Sequence, residues 1–322
     1  MASRRRKRWT QARLLMGTIV TIQVSSSEDE QAVLQSLERA FAAFRAVEAV
    51  CSRFDPTSEL MRLTRTVGAF VPVSEILFQT VQFALAVAHR TNGLFDPTVG
   101  RRLAKLGFHQ HYLTRQSVQT VDGPNAHQEA SYQDVEISTE KQAICLHNPL
   151  TLDLGAVAKG FAVDLAAQEL RRYEGFIIDA GGDLYVSGTN DEGAPWLVGI
   201  RDPFVNTQTI CTLEVHDMAV CTSGGYERRS TVDKQAHHII YPHTNRSPVD
   251  VASCTVLAPF AMLADAFSTV GMLLDIPASI DLFDSEHLSS LIITNDKEIH
   301  LTGQMEEFLD DKSSSKGEWR IT

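Results

Sequence analysis

Apolar positions recur along residues 28–50 at Val33, Leu37, Ala40, Phe41, Phe44, Val47 and Val50. That helical spacing predicts one long amphipathic helix. Glu75 to Arg90 reads as a second helix, stopped by Asn92-Gly93. Val157–Arg172 reads as a third, opened by Gly155 and Gly160, and Ala261–Leu274 as a fourth. Between them the period changes. The apolar stretch from Leu14 to Ile22, with alternation reaching Val24, predicts a first strand. Further strands are expected at Ala143–Leu154, Gly175–Val186 (broken by a glycine turn), Trp196–Arg201, Gln208–Val215, Ala219–Thr222, Ala236–Tyr241 and Ser253–Leu257. Leu291–Thr294 and Ile299–Leu301 form a closing hairpin. Strands outnumber helices and arrive partly in runs, which favours an α+β fold over a doubly wound parallel sheet.

Composition then narrows the class. The chain has 322 residues, 43% hydrophobic and 21% charged, which suits a packed globular protein. A formal net charge of -11 argues against a nucleic-acid partner. An acidic protein that binds an anionic cofactor needs a cation or backbone donors at that site. Five cysteines without a Cys-x-x-Cys pair argue against a disulfide framework or a zinc site. No run approaches the ~18 apolar residues of a membrane span. The run Arg4-Arg5-Arg6-Lys7-Arg8 is read as a solvated, disordered tail over 1–12, and the absence of a leader pattern predicts a cytoplasmic protein. One large domain is expected over 13–309, with a polar surface insertion at 109–134 and a polar tail at 310–322.

Chemistry concentrates at five places. Asp265 and Thr269 stand four residues apart in an apolar helical run, so both oxygens share one face. With waters and a substrate phosphate, such hard ligands suit Mg²⁺, though the spacing also arises by chance. Asp153 to Gly160 crosses from strand into helix, where free backbone N–H groups suit phosphate; on the residues alone an ordinary turn with glycines for close packing is the favoured reading. Asp179-Ala180-Gly181-Gly182-Asp183 is a glycine turn whose Asp183 could support a metal or a ribose, or simply face solvent. Thr222-Ser223-Gly224-Gly225 could form an anion nest. His237-His238 lies in an apolar segment, where a His serves either as a proton shuttle or as a structural group.

Taken in order, these motifs resemble the ApbE-type flavin transferases (FAD:protein FMN transferases). The likeness runs from Met16-Gly17-Thr18 through Ser52-Arg53-Phe54, Ser58-Glu59-Leu60, Gly93–Gly100, Asp153–Gly160, Ala180–Asp183, Trp196–Pro203, Thr222-Ser223-Gly224 and His238-Ile239-Ile240 to Ala264-Asp265-Ala266. The resemblance implies a single large T-fold-like α+β domain with mixed or antiparallel sheets and packed helices. It implies Mg²⁺-dependent cleavage of FAD, with FMN passing to a Ser or Thr hydroxyl of a separate acceptor protein and AMP leaving. The metal ligands it implies are the Ala156 carbonyl and the Asp265 and Thr269 side chains. Flavin contacts would fall at Met16, Phe54, Leu94, Phe95, Asp96, Asp153, Lys159 and Ile240, and His238 would accept the hydroxyl proton. Four positions depart from the family's usual residues: Asp179 stands for Asn, Gly225 and Tyr241 for Asp, and Asn245 for Gly. The lost carboxylates keep two further readings open, an FAD pyrophosphatase and a non-catalytic flavin binder.

Overall fold

The computed structural model describes residues 6–109, 130–205, 207–310 and 320–321. In chain order the elements are β1 (Lys7–Leu15), β2 (Thr18–Ser26), α1 (Glu30–Cys51), α2 (Glu59–Thr64), β3 (Phe70–Pro72), α3 (Glu75–Arg90), α4 (Gly100–Lys105), β4 (Val135–Ser138), β5 (Ala143–Leu146) and α5 (Ala158–Leu170). Then follow β6 (Gly175–Ala180), β7 (Asp183–Gly188), β8 (Trp196–Arg201), β9 (Thr209–Val215), β10 (Met218–Gly224), β11 (Val251–Ala258), α6 (Ala261–Leu273), α7 (Ile276–Ser285), β12 (Ser289–Thr294), β13 (Glu298–Thr302) and β14 (Arg320–Ile321). The mixture of helices and mainly antiparallel sheet is the α+β class expected from the pattern.

The chain divides into two compact units. One holds Met1–Phe44, Lys159–Tyr226 and Val249–Thr322; the other holds Arg45–Ala158 and Glu227–Pro248. The first is built on a sheet of nine described strands in the order β1-β2-β6-β7-β10-β11-β12-β13-β14. Every pairing is antiparallel except β13 with β14. Side chains alternate across it. On one face Val186, Val220, Leu257, Leu291 and Ile293 pack with Trp196, Val198, Leu213 and Val215 of the β8–β9 ribbon. On the other, α6 lies against β10 and β11. All eight residues of β11 are buried, as a strand covered on both faces requires.

The second unit carries α2, α3, α4 and the small sheet β3-β5-β4. Ser58 and Ser74 accept from Met61 N–H and Leu77 N–H to open α2 and α3. Leu77, Val81, Ala84, Leu85 and Ala88 form the buried stripe of α3, which ends at Asn92 and Gly93, both with positive φ.

Four expectations change. The basic run is not a tail from residue 6 onward: Lys7–Leu15 is a strand, and Met16-Gly17 turns it onto β2 with positive φ at both positions. The Ala143–Leu154 strand stops at Leu146, because Asn148-Pro149 breaks the ladder. Ala236–Tyr241 forms no strand; its one bridge joins His237 to Arg229, and the Ser247 hydroxyl takes the His237 N–H instead. Arg320–Ile321, in the supposed C-terminal tail, pairs with β13. Most of the 109–134 insertion lies outside the described residues, as does 311–319.

Candidate functional site

In the sheet unit, regular elements bring ionisable groups together. Lys159 lies in the first turn of α5, Asp183 begins β7 and Asp265 lies one turn into α6. The Lys159 ammonium is hydrogen-bonded to Asp183 and stands 3.5 Å from Asp265 Oδ1. The other Asp265 oxygen accepts the Gly160 N–H at 3.0 Å. Asp183 and Asp265 are both about 2% exposed. Burial pushes the Asp265 carboxyl above its usual range and Asp183 adds to that, while Lys159 opposes it.

Hydroxyls complete this wall. Alternation in β10 turns Cys221 and Ser223 toward α6, where Ser223 Oγ lies 2.8 Å from Ser268 Oγ and 3.2 Å from Thr269 Oγ1. Two carboxyl groups and three hydroxyls beside one ammonium gather hard oxygen donors at this wall. That donor set fits Mg²⁺, with Asp265 and Thr269 as the side chains already singled out. Among the described residues no group of three or more His, Cys, Asp or Glu forms an all-side-chain metal cluster.

The glycine turn after β6 is closed by Asp179, whose Oδ1 accepts the Gly182 N–H at 3.0 Å; Gly182 O in turn accepts the Thr222 N–H at 3.1 Å. An Asn could make the same contact, so Asp179 keeps the turn. Burial raises its carboxyl above the usual range, against the lowering by the Gly182 and Gly181 N–H groups. Met16, at the tip of the β1–β2 hairpin, is half-buried.

In the second unit the candidate residues sit on turns. Arg53, 6% exposed, pairs with Asp153, donates to Phe108 O at 2.7 Å and lies 4.3 Å from the centroid of the Phe54 ring. Asp153 also accepts the Gly155 N–H at 2.9 Å, which shapes the turn holding Ala156. Asp96 Oδ1 accepts within its own loop from Thr98 N–H at 2.8 Å and Thr98 Oγ1 at 2.7 Å, and Oδ2 accepts the Tyr132 N–H from outside it at 3.1 Å. It therefore braces the loop that carries half-buried Leu94 and buried Phe95. Gly100 is required by packing, since a Cβ there would lie 2.5 Å from Thr151 O.

The two adjacent histidines separate clearly. His237 is buried; its Nε2 lies 3.2 Å from Pro248 O and its Nδ1 accepts from Ile239 N–H at 3.3 Å. Those partners select the neutral tautomer with the proton on Nε2. Burial lowers its pKa, which the Pro248 carbonyl opposes. His238 is half-buried, its ring 6.3 Å from that of His237, and Ile240 beside it is buried.

The structure thus brings Lys159, Asp265 and Thr269 into one cluster, and Arg53, Phe54 and Asp153 into another. Sequence reading assigned no role to Arg53, although it stands inside a quoted motif, and overlooked Ser268 and Asp164. A lone acid in the apolar run Phe161–Ala167 was the available signal for Asp164.

Comparison with known proteins covers most of the chain. The sequence model of the ApbE family matches residues 16–292. A protein of Treponema pallidum named FAD:protein FMN transferase is 29% identical over 315 residues, covering 91% of this chain and 86% of that protein. The Escherichia coli K12 protein of the same name is 29% identical over 274 residues, 82% of this chain and 78% of its own length. The crystal structure of the ApbE protein from Thermotoga maritima superposes with a TM-score of 0.84 at 28% identity, covering 95% of this chain and 100% of that one. The flavin transferase ApbE from Vibrio cholerae shares the fold, with a TM-score of 0.80 at 24% identity over 94% of this chain and 100% of that chain. With the family model spanning both the Lys159–Asp265 cluster and the Arg53–Asp153 turn, this chain belongs to the ApbE family.

Proposed function

We propose that this chain is an Mg²⁺-dependent FAD:protein FMN transferase that moves FMN from FAD to a Ser or Thr hydroxyl of a separate protein and releases AMP. The observation that carries the reading is the Lys159–Asp183–Asp265 cluster with its adjoining hydroxyls, inside the segment matched to the family. The acceptor oxygen would form a bond to the FMN-side phosphorus, and the bond from that phosphorus to the bridging oxygen would break. AMP then leaves with the bridging oxygen, and His238 takes the hydroxyl proton. Lys159 would neutralise phosphate charge, and Phe54 offers an aromatic face to the flavin. Asp265, Thr269 and the Ala156 carbonyl would hold Mg²⁺, which supplies charge neutralisation on the pyrophosphate when bound. Met16, Leu94, Phe95, Asp96, Asp153 and Ile240 would shape the flavin site.

The test is incubation with FAD, Mg²⁺ and a flavin-acceptor domain, read as covalent flavin fluorescence on the acceptor. No label on any acceptor tried, with or without chelator, would sink the reading. A second reading, FAD hydrolysis or flavin binding alone, is favoured by Tyr241 and Gly225 standing where the resemblance leads one to expect Asp. Release of FMN and AMP without an acceptor marks the first; a yellow protein inert in both assays marks the second. No helix among the described residues is long and apolar enough to cross a membrane. The cytoplasmic location is part of this proposal and is checked by cell fractionation.

A further inference from the structure

The first turn of α6 has backbone donors that its own N-cap cannot satisfy. Phe260 holds the cap position and makes no side-chain capping bond. Both donors are taken by another helix: Asp164 of α5 accepts Ala261 N–H at 2.6 Å through one oxygen and Met262 N–H at 2.9 Å through the other. The reverse contact also exists, since Asp265 of α6 accepts the Gly160 N–H in the first turn of α5. Each helix start is thus capped by a carboxylate of the other, and each carboxylate faces the positive end of a helix. The backbones meet closely, because a Cβ on Gly160 would lie 2.4 Å from Ala261 O.

We propose that Asp164 is a positioning residue for the cation and phosphate site: by clamping the start of α6 onto α5, it fixes Asp265 in register with Gly160 and Lys159. Ala261 and Asp265 are one helical turn apart, about 6 Å along the axis. A tilt at the clamp therefore moves the Asp265 carboxylate directly. With one Asp265 oxygen committed to Gly160 N–H, the other is left for Lys159 or a cation. Both hydrogen bonds of Asp164 go to the backbone of α6, so its effect passes through α6. Burial pushes its carboxyl up to about 6, against the two N–H bonds that stabilise the charged form.

This inference rests on the transferase reading for its consequence, but its geometry can be tested without turnover. NMR-detected amide exchange at Gly160, a reporter of the Asp265 bond, is measured in wild type, Asp164→Ala and Asp164→Asn. Asp164→Ala should raise the Gly160 exchange rate at least tenfold and raise the Mg²⁺ concentration needed for half-maximal FMN transfer. Asp164→Asn, which keeps one acceptor oxygen, should fall between. If the alanine variant fails to fold, the asparagine variant carries the test alone. Asp275→Ala is the control, since Asp275 caps α7 through Ala278 N–H at 2.8 Å and follows the end of α6 opposite the clamp. It should lower thermal stability and leave both readouts unchanged. Gly160 exchange unchanged in a folded Asp164 variant overturns the inference, as does the same shift in Asp275→Ala. A wild type that transfers no FMN would instead defeat the transferase reading, with the exchange result standing apart.

Discussion

The Lys159–Asp183–Asp265 cluster and the His237–His238 segment position ionisable groups by different means. In the first, each side chain leaves a regular element: the opening turns of α5 and α6 and the first residue of β7. Helical and strand registers then fix where each oxygen and nitrogen points. In the second, no ladder or helix exists, and His237 is held by Ser247 and Pro248, ten and eleven residues onward. A buried charge cluster on rigid elements can be aimed closely; a group on irregular chain is aimed by whichever distant contacts complete its backbone bonds.

The largest expected effect tests the first arrangement. Asp265→Asn should reduce FMN transfer by about 10²–10³-fold, the scale of losing one aimed electrostatic group. Its thermal midpoint should hold or rise. The amide oxygen can still accept Gly160 N–H, and the cost of burying a carboxylate next to Asp183 disappears. A large loss of stability together with activity would show that Asp265 serves the fold more than the site.

Gly160→Ala probes the same cluster from its backbone. The added Cβ meets Ala261 O and Met262 Cα, which belong to backbone and cannot swing aside. Overpacking there should cost about 1–3 kcal/mol in denaturant unfolding, with slower transfer. A neutral result would mean that α5 and α6 separate freely and that the clamp is slack.

This contrast also explains what could be read from the sequence. The 3.6-residue pattern of 28–50 and 75–90 gave α1 and α3 nearly to the residue, and paired Asp265 with Thr269, because register alone determines those positions. β1 was unreadable as a strand: it is an edge strand with no buried residue, and Lys7, Arg8 and Arg13 hide its alternation. Asp275-Ile276-Pro277 carried a legible helix start for α7, with Asp at the cap and Pro inside the first turn, and it was passed over. Ala236–Tyr241 misled for a different reason. Ala236, Ile239 and Ile240 are buried as a strand would bury them, but the backbone partners of the stretch are scattered over Arg228, Ser230, Asp233, Arg246 and Ser247, which no local period reveals.

The second arrangement should yield smaller and separable effects. His238→Ala is expected to slow transfer about 10²-fold or more while FAD affinity changes little, if it accepts the hydroxyl proton. Equal losses in both would assign it a structural role. His237→Ala should instead cost about 1–3 kcal/mol of stability by leaving Pro248 O and Ile239 N–H without their buried partner. Its pH signature has a definite sign. The folded-state pKa of His237 lies below the ordinary 6.5, so between those values the unfolded chain binds the extra proton. Its stabilising contribution is present above about pH 6.5 and is lost as pH falls through the folded value. The alanine variant should therefore differ from wild type less at pH 5 than at pH 7.5 in unfolding free energy; a difference that grows on acidification would reverse the assignment.

Asn245 gives the smallest effect and the finest test of the irregular segment. It is exposed, at φ +58°, and its N–H bonds to Tyr241 O at 3.0 Å, closing the turn that precedes Ser247. Left-handed backbone suits the glycine that the family resemblance implies at this position, and also Asn, which visits that region readily. Asn245→Gly should shift unfolding free energy by no more than about 0.5 kcal/mol and leave transfer unchanged. Asn245→Val, β-branched in the same conformation, should cost about 1–2 kcal/mol. If Asn245→Gly were to raise transfer severalfold at unchanged stability, the departure at 245 would concern the reaction rather than the turn, and the His238 segment would be a functional surface in its own right.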